Sequence, residues 1–280
     1  ALLLGFLANY QPLDSDLTAI AALTTTAFGR SILAAADAAA ARLINGSHVD
    51  RTLIRGRTFS HFETGGVASW GLNSAVSGTG AQCGQGWEYT NPTSNWMGAG
   101  RVETGTTSTG RACWYTGNNH LIIGQSRAFS IRGIVQVEVQ SNTTDEFIVW
   151  YGFQDASAVS TPPTRGAFWR YDRAATGDHN WRCVTRSGGV ETVSNTTIAV
   201  TVGFTGKGTD LQIVTDVDGG EVRFYSAGVL VATHTTNINT SSRQGVSGMI
   251  QKSAGTTEVS AAWDTHEFEW SSLDDLDPTA

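Results

Sequence analysis

The 280-residue chain is poor in cysteine and proline, contains no long hydrophobic run and carries a net negative charge. Its cysteines, Cys83, Cys113 and Cys183, are an odd number without metal-ligand spacing, so we expect buried thiols, with one disulfide as the alternative. No run of about 18 apolar residues occurs, so we expect no membrane insertion. The net charge of −7 argues against nucleic acid as the main partner, because phosphate binding requires a basic patch.

Sequence signatures of catalysis and of cofactor binding are also missing. None of the six histidines stands in the H-E-x-x-H pattern of a zinc site or beside a G-x-S-x-G nucleophile motif. Residues 203–208 match neither a phosphate loop nor a dinucleotide fingerprint. Asp216, Asp218 and Glu221 lack the spacing of a calcium loop and fit a hairpin turn. We therefore expect no enzyme, no cofactor and no metal site.

What the chain does contain is an alternation of apolar and polar residues, which is clearest in residues 210–234, DLQIVTDVDGGEVRFYSAGVLVATH. This segment predicts three antiparallel strands, because a period of two is typical of half-buried strands. Turns at residues 218–220 and 226–228 contain glycine, which tolerates the positive φ that tight hairpins need. We expect one strand face to carry Val222 and Phe224 and the other to carry Arg223 and Tyr225.

Many further short segments are separated by Gly-rich turns, which predicts an antiparallel β-sandwich or jelly roll over residues 51–270. The fold class is therefore expected to be mainly β. The strands are predicted at residues 51–62, 87–90, 98–103, 111–116, 121–124, 128–140, 146–153, 166–172, 180–186, 190–193, 197–202, 245–251 and 258–270, in addition to the three above. Residues 65–86 are rich in Gly, Ser and Ala and are expected to be turn-like.

Residues 1–50 form a segment of different character, since they contain no tryptophan. Apolar residues at helical spacing predict short helices, the second of which ends at Asn45-Gly46. Residues 34–41 are alanine except for Asp37, so this helix has little bulk with which to build a core. We expect it to pack against copies of itself in an oligomer. Residues 271–280 are predicted to be an acidic tail.

The N-terminal segment also contains two characteristic runs, YQPLDSDLTAIAAL at residues 10–23 and FGRSILAAADAAAAR at residues 28–42. Together they resemble a segment that recurs in bacteriophage tail-fibre proteins. The resemblance implies a virion appendage rather than an activity. Fibres with this segment are generally homotrimers, which agrees with the expected packing of the alanine-rich helix.

Residues 222–233, VRFYSAGVLVAT, form a strand, a turn with glycine at the bend and a second strand, and a further strand ends at Trp270. This arrangement resembles the concanavalin A-like lectin and glucanase sandwich, a fold that includes lectins, hydrolases and inert structural modules. Hydrolases of this fold carry their carboxylates as Glu-x-Asp-x-x-Glu, a spacing absent here. Glu267 and Glu269 share one strand face by their spacing, which we interpret as a solvent-exposed face.

A sugar site in such a sandwich would combine aromatic faces with amide and carboxylate side chains. The candidate ligand-binding residues are Trp169, Tyr171, Asp172, Asp178, Asn180 and Trp181. Trp169 and Trp181 could instead be core residues of paired strands. A second candidate is the loop at residues 154–165, which lies about 20 Å from the first, at the other end of the strand 166–172. A third is residues 118–120 with Trp114 and Tyr115.

These observations favour a phage virion appendage, a trimeric tail fibre or receptor-binding protein that adsorbs to a bacterial surface glycan without catalysis. Its expected partners are its own copies, other tail or virion proteins through the N-terminal segment, and host carbohydrate. It would be located in the virion after assembly in the host cytoplasm. One alternative is a non-binding structural or decoration module, which complete burial of Trp114, Trp169 and Trp181 would favour. Another is a polysaccharide depolymerase with a site built across subunits.

Overall fold

Antiparallel β-strands make up the regular structure in the computed structural model of this chain, which describes residues 56–60, 73–87, 99–116, 121–155, 162–203 and 208–271. The chain divides into two compact units, Ala1–Leu53 and Ile54–Ala280, and every described residue belongs to the second. Within these described ranges no helix occurs. The predicted N-terminal helices, and the predicted tail beyond Ser271, lie outside the described residues.

The strands are short and follow one another closely, as the Gly-rich turns predicted. Their bounds in chain order are β1 (Gly56–Ser60), β2 (Asn73–Ser77), β3 (Gln82–Trp87), β4 (Ala99–Glu103), β5 (Arg111–Tyr115), β6 (Ala128–Val137), β7 (Phe147–Gln154), β8 (Gly166–Asp172), β9 (Asn180–Ser187), β10 (Val190–Ala199), β11 (Thr209–Thr215), β12 (Val222–Ser226), β13 (Val229–His234), β14 (Gly245–Lys252) and β15 (Ser260–Ser271).

Two antiparallel sheets are built from these strands. Sheet A has eight strands in the order β13-β12-β11-β6-β15-β4-β3, and β1 pairs with the C-terminal half of β15. Sheet B has seven strands in the order β10-β9-β8-β7-β14-β5-β2. Because the described strands fall into two such sheets around one core, the prediction of a mainly β antiparallel sandwich is confirmed.

The main core lies between the two sheets, because every second residue of each strand turns toward the facing sheet. In β8, Trp169 and Tyr171 belong to this core, whereas Phe168 belongs to a second buried cluster on the opposite face of sheet B. The largest fully buried side chains are Trp114, Trp169, Trp181, Trp263, Tyr151, Tyr171, Tyr225, Phe147, Phe153, Phe168 and Phe224.

The predicted hairpins of residues 210–234 are present as β11, β12 and β13. Val222 and Phe224 lie in the main core and Tyr225 lies in a separate buried cluster, so the predicted division of faces is confirmed. The turn between β12 and β13 has positive φ at Ala227 (50°) and Gly228 (78°). Two successive residues with positive φ match the right-handed twist of a tight hairpin.

Four details differ from the predicted strands. Residues 121–124, predicted as a strand, contain only an isolated bridge from Leu121 to Gln244. β2 and β3 lie inside the segment expected to be turns, and β6 ends at Val137 instead of continuing to residue 140. The two strands predicted at residues 190–193 and 197–202 form one strand, β10, whose pairing with β9 is interrupted by a register shift between Asn195 and Ala199. A bulge of this kind inserts extra residues into one strand, which breaks the alternation that the sequence presents.

Candidate ligand-binding face

The aromatic residues of the predicted sugar site are core residues. Trp169, Tyr171 and Trp181 are fully buried between the sheets, so the alternative interpretation of the two tryptophans is confirmed. The indole Nε1 of Trp169 donates to the backbone oxygen of Gln212 at 3.2 Å, and its ring meets Phe224 edge-on at 5.6 Å. None of the three rings has a face open to a ligand, which corrects the expectation that they stack on a sugar.

The polar residues of that predicted site shape the loop between β8 and β9. The carboxylate of Asp172 accepts a hydrogen bond from the amide of Ala175 at 3.1 Å. Asp178 accepts from the amide of Asn180 at 3.1 Å and from Nη2 of Arg182 at 3.3 Å. These bonds give Asp172 and Asp178 a structural role in the turn, and a ligand contact by Asp172, Asp178 or Asn180 stays a prediction.

The other two candidate sites are only partly described. Asp155 closes the loop at residues 154–165 by accepting hydrogen bonds from the amides of Thr164 (2.8 Å) and Arg165 (3.1 Å), while residues 156–161 lie outside the described residues. Residues 118–120 also lie outside them, and Trp114 is fully buried. Neither loop therefore offers a described set of converging side chains.

The face of sheet B that turns away from the main core carries an unexpected set of buried side chains. We call it the outer face of sheet B. Among the described strands none packs across this face, since each of them belongs to one of the two sheets. Its centre is nevertheless apolar and buried, and consists of Cys113, Trp150, Phe168, Val184 and Met249.

Arginines continue this face toward the β10 edge. The strand register places Arg182, Arg170, Trp150, Met249 and Cys113 in one row across five neighbouring strands, from β9 to β5. Moving along this row, the face changes from two guanidinium groups to an indole and then to small apolar side chains.

The carboxylate of Glu191 on β10 neutralises part of the charge at this end. It receives both hydrogen bonds from Nη1 of Arg170, at 2.8 and 3.0 Å, and it also lies 3.5 Å from Nη1 of Arg186. Arg186 additionally donates to the backbone oxygen of Pro163 at 2.6 Å. The carboxylate of Glu191 thus forms ion pairs with two guanidinium groups of this face.

Buried polar atoms without a hydrogen-bond partner are concentrated on the outer face of sheet B. Ser247 and Gln251 stand on β14 on either side of Met249, which is the direct strand partner of Trp150. Within the described part of the chain, the atoms on this face that are buried and unpartnered are Oγ of Ser247, Oε1 of Gln154 and Gln251, and Nε of Arg170, Arg182 and Arg186. Since buried polar groups are normally paired, this concentration indicates a place for water or a polar ligand.

The outer face of sheet A has a different chemistry. Arg132 donates from Nε and Nη2 to the two carboxylate oxygens of Asp210 at 2.9 and 2.6 Å, and this pairing raises the pKa of the guanidinium. Glu267 and Glu269 lie opposite Arg132 and Ser130 in the register, on the same face as each other, as their spacing predicted. Both glutamates are half-buried rather than fully exposed.

The three cysteines are free thiols, so the disulfide alternative is wrong. Burial raises the pKa of Cys83 to about 12 and that of Cys113 to about 11, and it also raises the pKa of Cys183. Among the described residues, no group of three or more His, Cys, Asp or Glu side chains is placed to hold a metal ion. No helix of the described ranges is long and apolar enough to cross a membrane.

A family model described as SO2946-like, C-terminal domain, matches residues 95–262, which is more than half of the chain. This chain belongs to the SO2946-like C-terminal domain family. The match begins just before β4 and ends within β15, so it includes all five residues of the row from Arg182 to Cys113 in the SO2946-like domain.

Solved structures similar to this SO2946-like domain have low sequence identity to it. A protein of unknown function, SO2946 from Shewanella oneidensis MR-1, is 10% identical with a TM-score of 0.56, and the alignment covers 82% of this chain and 93% of that one. The carbohydrate recognition domain of Emp47p is 10% identical over 71% of this chain and 87% of that one, with a TM-score of 0.48. An endo-1,3-beta-glucanase from Streptomyces sioyaensis is 10% identical over 79% and 97%, with a TM-score of 0.48. A comparison with curated proteins found no match.

Sequence reasoning did not identify the outer face of the SO2946-like sandwich as a candidate site. Arg170 lies between the candidate residues Trp169 and Tyr171, and the alternation of side chains along β8 places it on the opposite face from them. The useful signal was the charged residue in an otherwise apolar strand. Arg182 gives the same signal in β9, between Trp181 and Cys183.

Proposed function

We propose that this domain is a glycan-binding module that acts without catalysis and is presented by a virion appendage. The observation that carries the proposal is the concentration of buried, unpartnered polar atoms on the outer face of sheet B. Leaving such atoms unsatisfied costs free energy, which a polar ligand on this face would recover. The ligand must itself be polar, because an apolar one would leave those atoms without partners.

The mixture of atoms on this face fits a carbohydrate. The arginine Nε groups only donate hydrogen bonds, the glutamine Oε1 atoms only accept them, and the serine hydroxyl does both. Sugar hydroxyls can donate and accept at the same atom, so neighbouring hydroxyls of one ring can meet both kinds of protein group.

The appendage part of the proposal rests on the tail-fibre-like residues 10–42. In a homotrimer, three copies of a weak site would bind a surface with repeated sugars more strongly than one copy binds. The partners would then be the chain's own copies, other tail or virion proteins, and the host surface carbohydrate. The location would be the virion, after assembly in the host cytoplasm.

Binding without hydrolysis agrees with the position of the carboxylates. The half-buried pair Glu267 and Glu269 belongs to sheet A, and the glutamates therefore stand in the other sheet from the proposed ligand face. Of the carboxylates near that face, Glu191 and Asp178 are engaged by arginines, and Asp172 accepts a hydrogen bond from the amide of Ala175. A glycosidase instead needs one protonated and one free carboxylate about 5 to 10 Å apart across the scissile bond.

The test is binding of the full-length chain to a glycan array and to host cells. The double variant Ser247→Ala, Gln251→Leu removes two unpartnered groups and should weaken glycan binding by about tenfold, the effect of losing one or two hydrogen bonds. Gln212→Leu is the matched control, because Gln212 is a buried glutamine on the outer face of sheet A that pairs with Ser130. Equal binding by the double variant and by wild type would place the site elsewhere, and release of reducing ends from the glycan would indicate hydrolysis.

A structural or decoration module of the virion is the second candidate function. It is favoured by the complete burial of Trp114, Trp169 and Trp181, which leaves these aromatic residues to the core. A stable oligomer that binds no glycan and no host cell would select this function.

A further inference from the structure

Arg182 is a nearly buried cation with an incomplete set of partners. Its side chain is 4% exposed, and its one described ion pair is a 3.3 Å contact from Nη2 to Asp178, whose own side chain is 45% exposed. A guanidinium carries five N–H donors, and the Nε of Arg182 is buried without a partner. A charge removed from water is costly unless its hydrogen bonds are replaced, so this site lacks an acceptor.

A second guanidinium lies beside it. Arg170 and Arg182 are direct partners in the register of β8 and β9, which places their Cβ atoms about 5 Å apart. Both side chains turn to the outer face of sheet B, and the Nε of Arg170 is also buried and unpartnered. Like charges opposite each other on adjacent strands are unfavourable unless a negative group lies between them.

The carboxylates near this pair engage its guanidinium groups incompletely. Glu191 is shared by Arg170 and Arg186, and Asp178 is mostly directed to its own loop and to one nitrogen of Arg182. Asp172, two residues after Arg170 on β8, accepts from the amide of Ala175 and has no ion pair among the described residues. The guanidinium groups of Arg170, Arg182 and Arg186 therefore form ion pairs with only Glu191 and Asp178, although the net charge of the whole chain is −7.

We infer that Arg170 and Arg182 form a subsite for an oxyanion carried by an acidic glycan, such as a carboxylate, sulfate or phosphate group. This inference deepens the proposed function and rests on it for the glycan, whereas the anion site follows from the arginines alone. Guanidinium forks bind such groups through two parallel hydrogen bonds. The next residue of the row, Trp150, lies one strand away at about 4.8 Å and belongs to the buried apolar centre. The sugar ring that bears the anion would therefore lie on the other side, toward Asn195, the strand partner of Arg182 on β10.

The site is reached from the β10 edge of the sheet. Trp150 and Arg182 are buried and Arg170 between them is half-buried, whereas Asn195 and Val193 on β10 are exposed. An acidic sugar at a chain end or branch could therefore place its anionic group on the two arginines without entering the apolar centre of the face.

The experiment measures full-length protein against four sets of oligosaccharides: neutral, uronate-containing, sulfated and phosphorylated. Arg182→Met should weaken binding of at least one acidic set by about 10- to 100-fold, as expected for hydrogen bonds between charged groups, and should weaken neutral binding by a smaller factor. Arg132→Gln, on the outer face of sheet A, removes an arginine of similar charge and should leave acidic binding unchanged. The acidic set that loses affinity identifies which oxyanion the subsite takes.

A second readout needs no glycan. Sodium sulfate should raise the melting temperature of wild type and of Arg132→Gln more than that of Arg182→Met at equal ionic strength, since only the last lacks the subsite. Arg182→Met is expected to fold, because it removes an underpaired cation and leaves Asp178 largely in water. An equal sulfate response in all three proteins, together with equal acidic and neutral binding, would overturn the subsite but not the glycan module. A selective sulfate response without glycan binding would support the subsite and count against the glycan module.

Discussion

His234 on β13 connects the two sheets through a chain of hydroxyl groups. Its Nδ1 lies 3.0 Å from Oγ1 of Thr185, and its Nε2 lies 2.9 Å from Oγ of Ser194. Thr185 donates its only proton to the backbone oxygen of Thr236 at 2.8 Å, so Nδ1 must donate to Thr185. In the neutral imidazole Nε2 then accepts from Ser194. Burial lowers the pKa of His234, which favours this neutral form.

This lowered pKa makes stability depend on pH in a defined direction. Above a pH of about 6.5 the histidine is neutral in the folded and unfolded states and contributes no pH dependence. Below that value the unfolded chain binds a proton that the folded protein does not bind. The free energy of unfolding should therefore fall as the pH is lowered, until the lower pKa of the folded state is reached. His234→Gln should reduce this dependence in urea titrations between pH of about 5 and 8. The same slope in wild type and variant, or an NMR titration of His234 at its ordinary pKa, would contradict the assignment.

At the level of single residues, sequence reasoning recognised which strands were apolar but not which face each side chain takes. The reason is that sheet B is apolar on both faces at its centre, so Phe168 and Trp169 are both buried although they point in opposite directions. Periodicity separates inner from outer residues only where one face is polar. The row from Arg182 to Cys113 could have been predicted from Arg170 and Arg182, because a charged residue inside an apolar strand indicates the outer face of the sheet.

At the level of the strands, Gly248 on β14 allows two tryptophans to pack across the core. A Cβ at this position would lie 2.6 Å from Nε1 and 2.7 Å from Cε2 of Trp114, and 2.7 Å from Cε2 of Trp263. The two rings meet nearly edge-on, with centroids 5.9 Å apart. Gly248→Ala should therefore lower the free energy of unfolding by about 1–3 kcal/mol, the usual cost of overpacking a core.

The matched control for this prediction is Gly220→Ala. Gly220 has no positive φ, and the nearest atom to its added Cβ is the terminal Oδ2 of Asp216 at 3.2 Å. Chemical denaturation should show a change of less than about 1 kcal/mol for this variant. Equal losses for Gly220→Ala and Gly248→Ala would show that backbone freedom, not the tryptophan contact, decides the effect.

Strands that carry polar residues on one face were predictable from the sequence, and edge strands were not. β11 and β12 alternate because their outer side includes Asp210, Gln212 and Arg223, while their inner side is apolar. β2 is an edge strand whose residues are exposed apart from the half-buried Ala75, so hydrophobic alternation was not required there. β10 is also at an edge, and its bulge divides the pattern into two apparent strands.

At the level of the whole molecule, the oligomer decides whether a weak site is useful. The alanine-rich residues 34–41 predict an oligomer, and the resemblance of residues 10–23 and 28–42 to tail-fibre segments implies a homotrimer. If these residues form the predicted helix and pack on their copies, proline inside the helix should separate the subunits, since it removes a backbone hydrogen bond and clashes with the preceding turn. The sandwich core lies in the other compact unit and should keep its stability.

Mass photometry of the wild-type chain should give three times its 29.7 kDa mass, and Ala36→Pro combined with Ala40→Pro should give the monomer mass. Ser31→Pro, near the predicted start of the same helix, is the milder control and should keep more of the trimer. The monomeric variant should melt at the wild-type temperature of the sandwich and bind a multivalent glycan surface more weakly, while its affinity for a single oligosaccharide stays the same. A monomeric wild type would contradict the trimer, and equal binding to the multivalent surface by trimer and monomer would remove avidity from the proposed function.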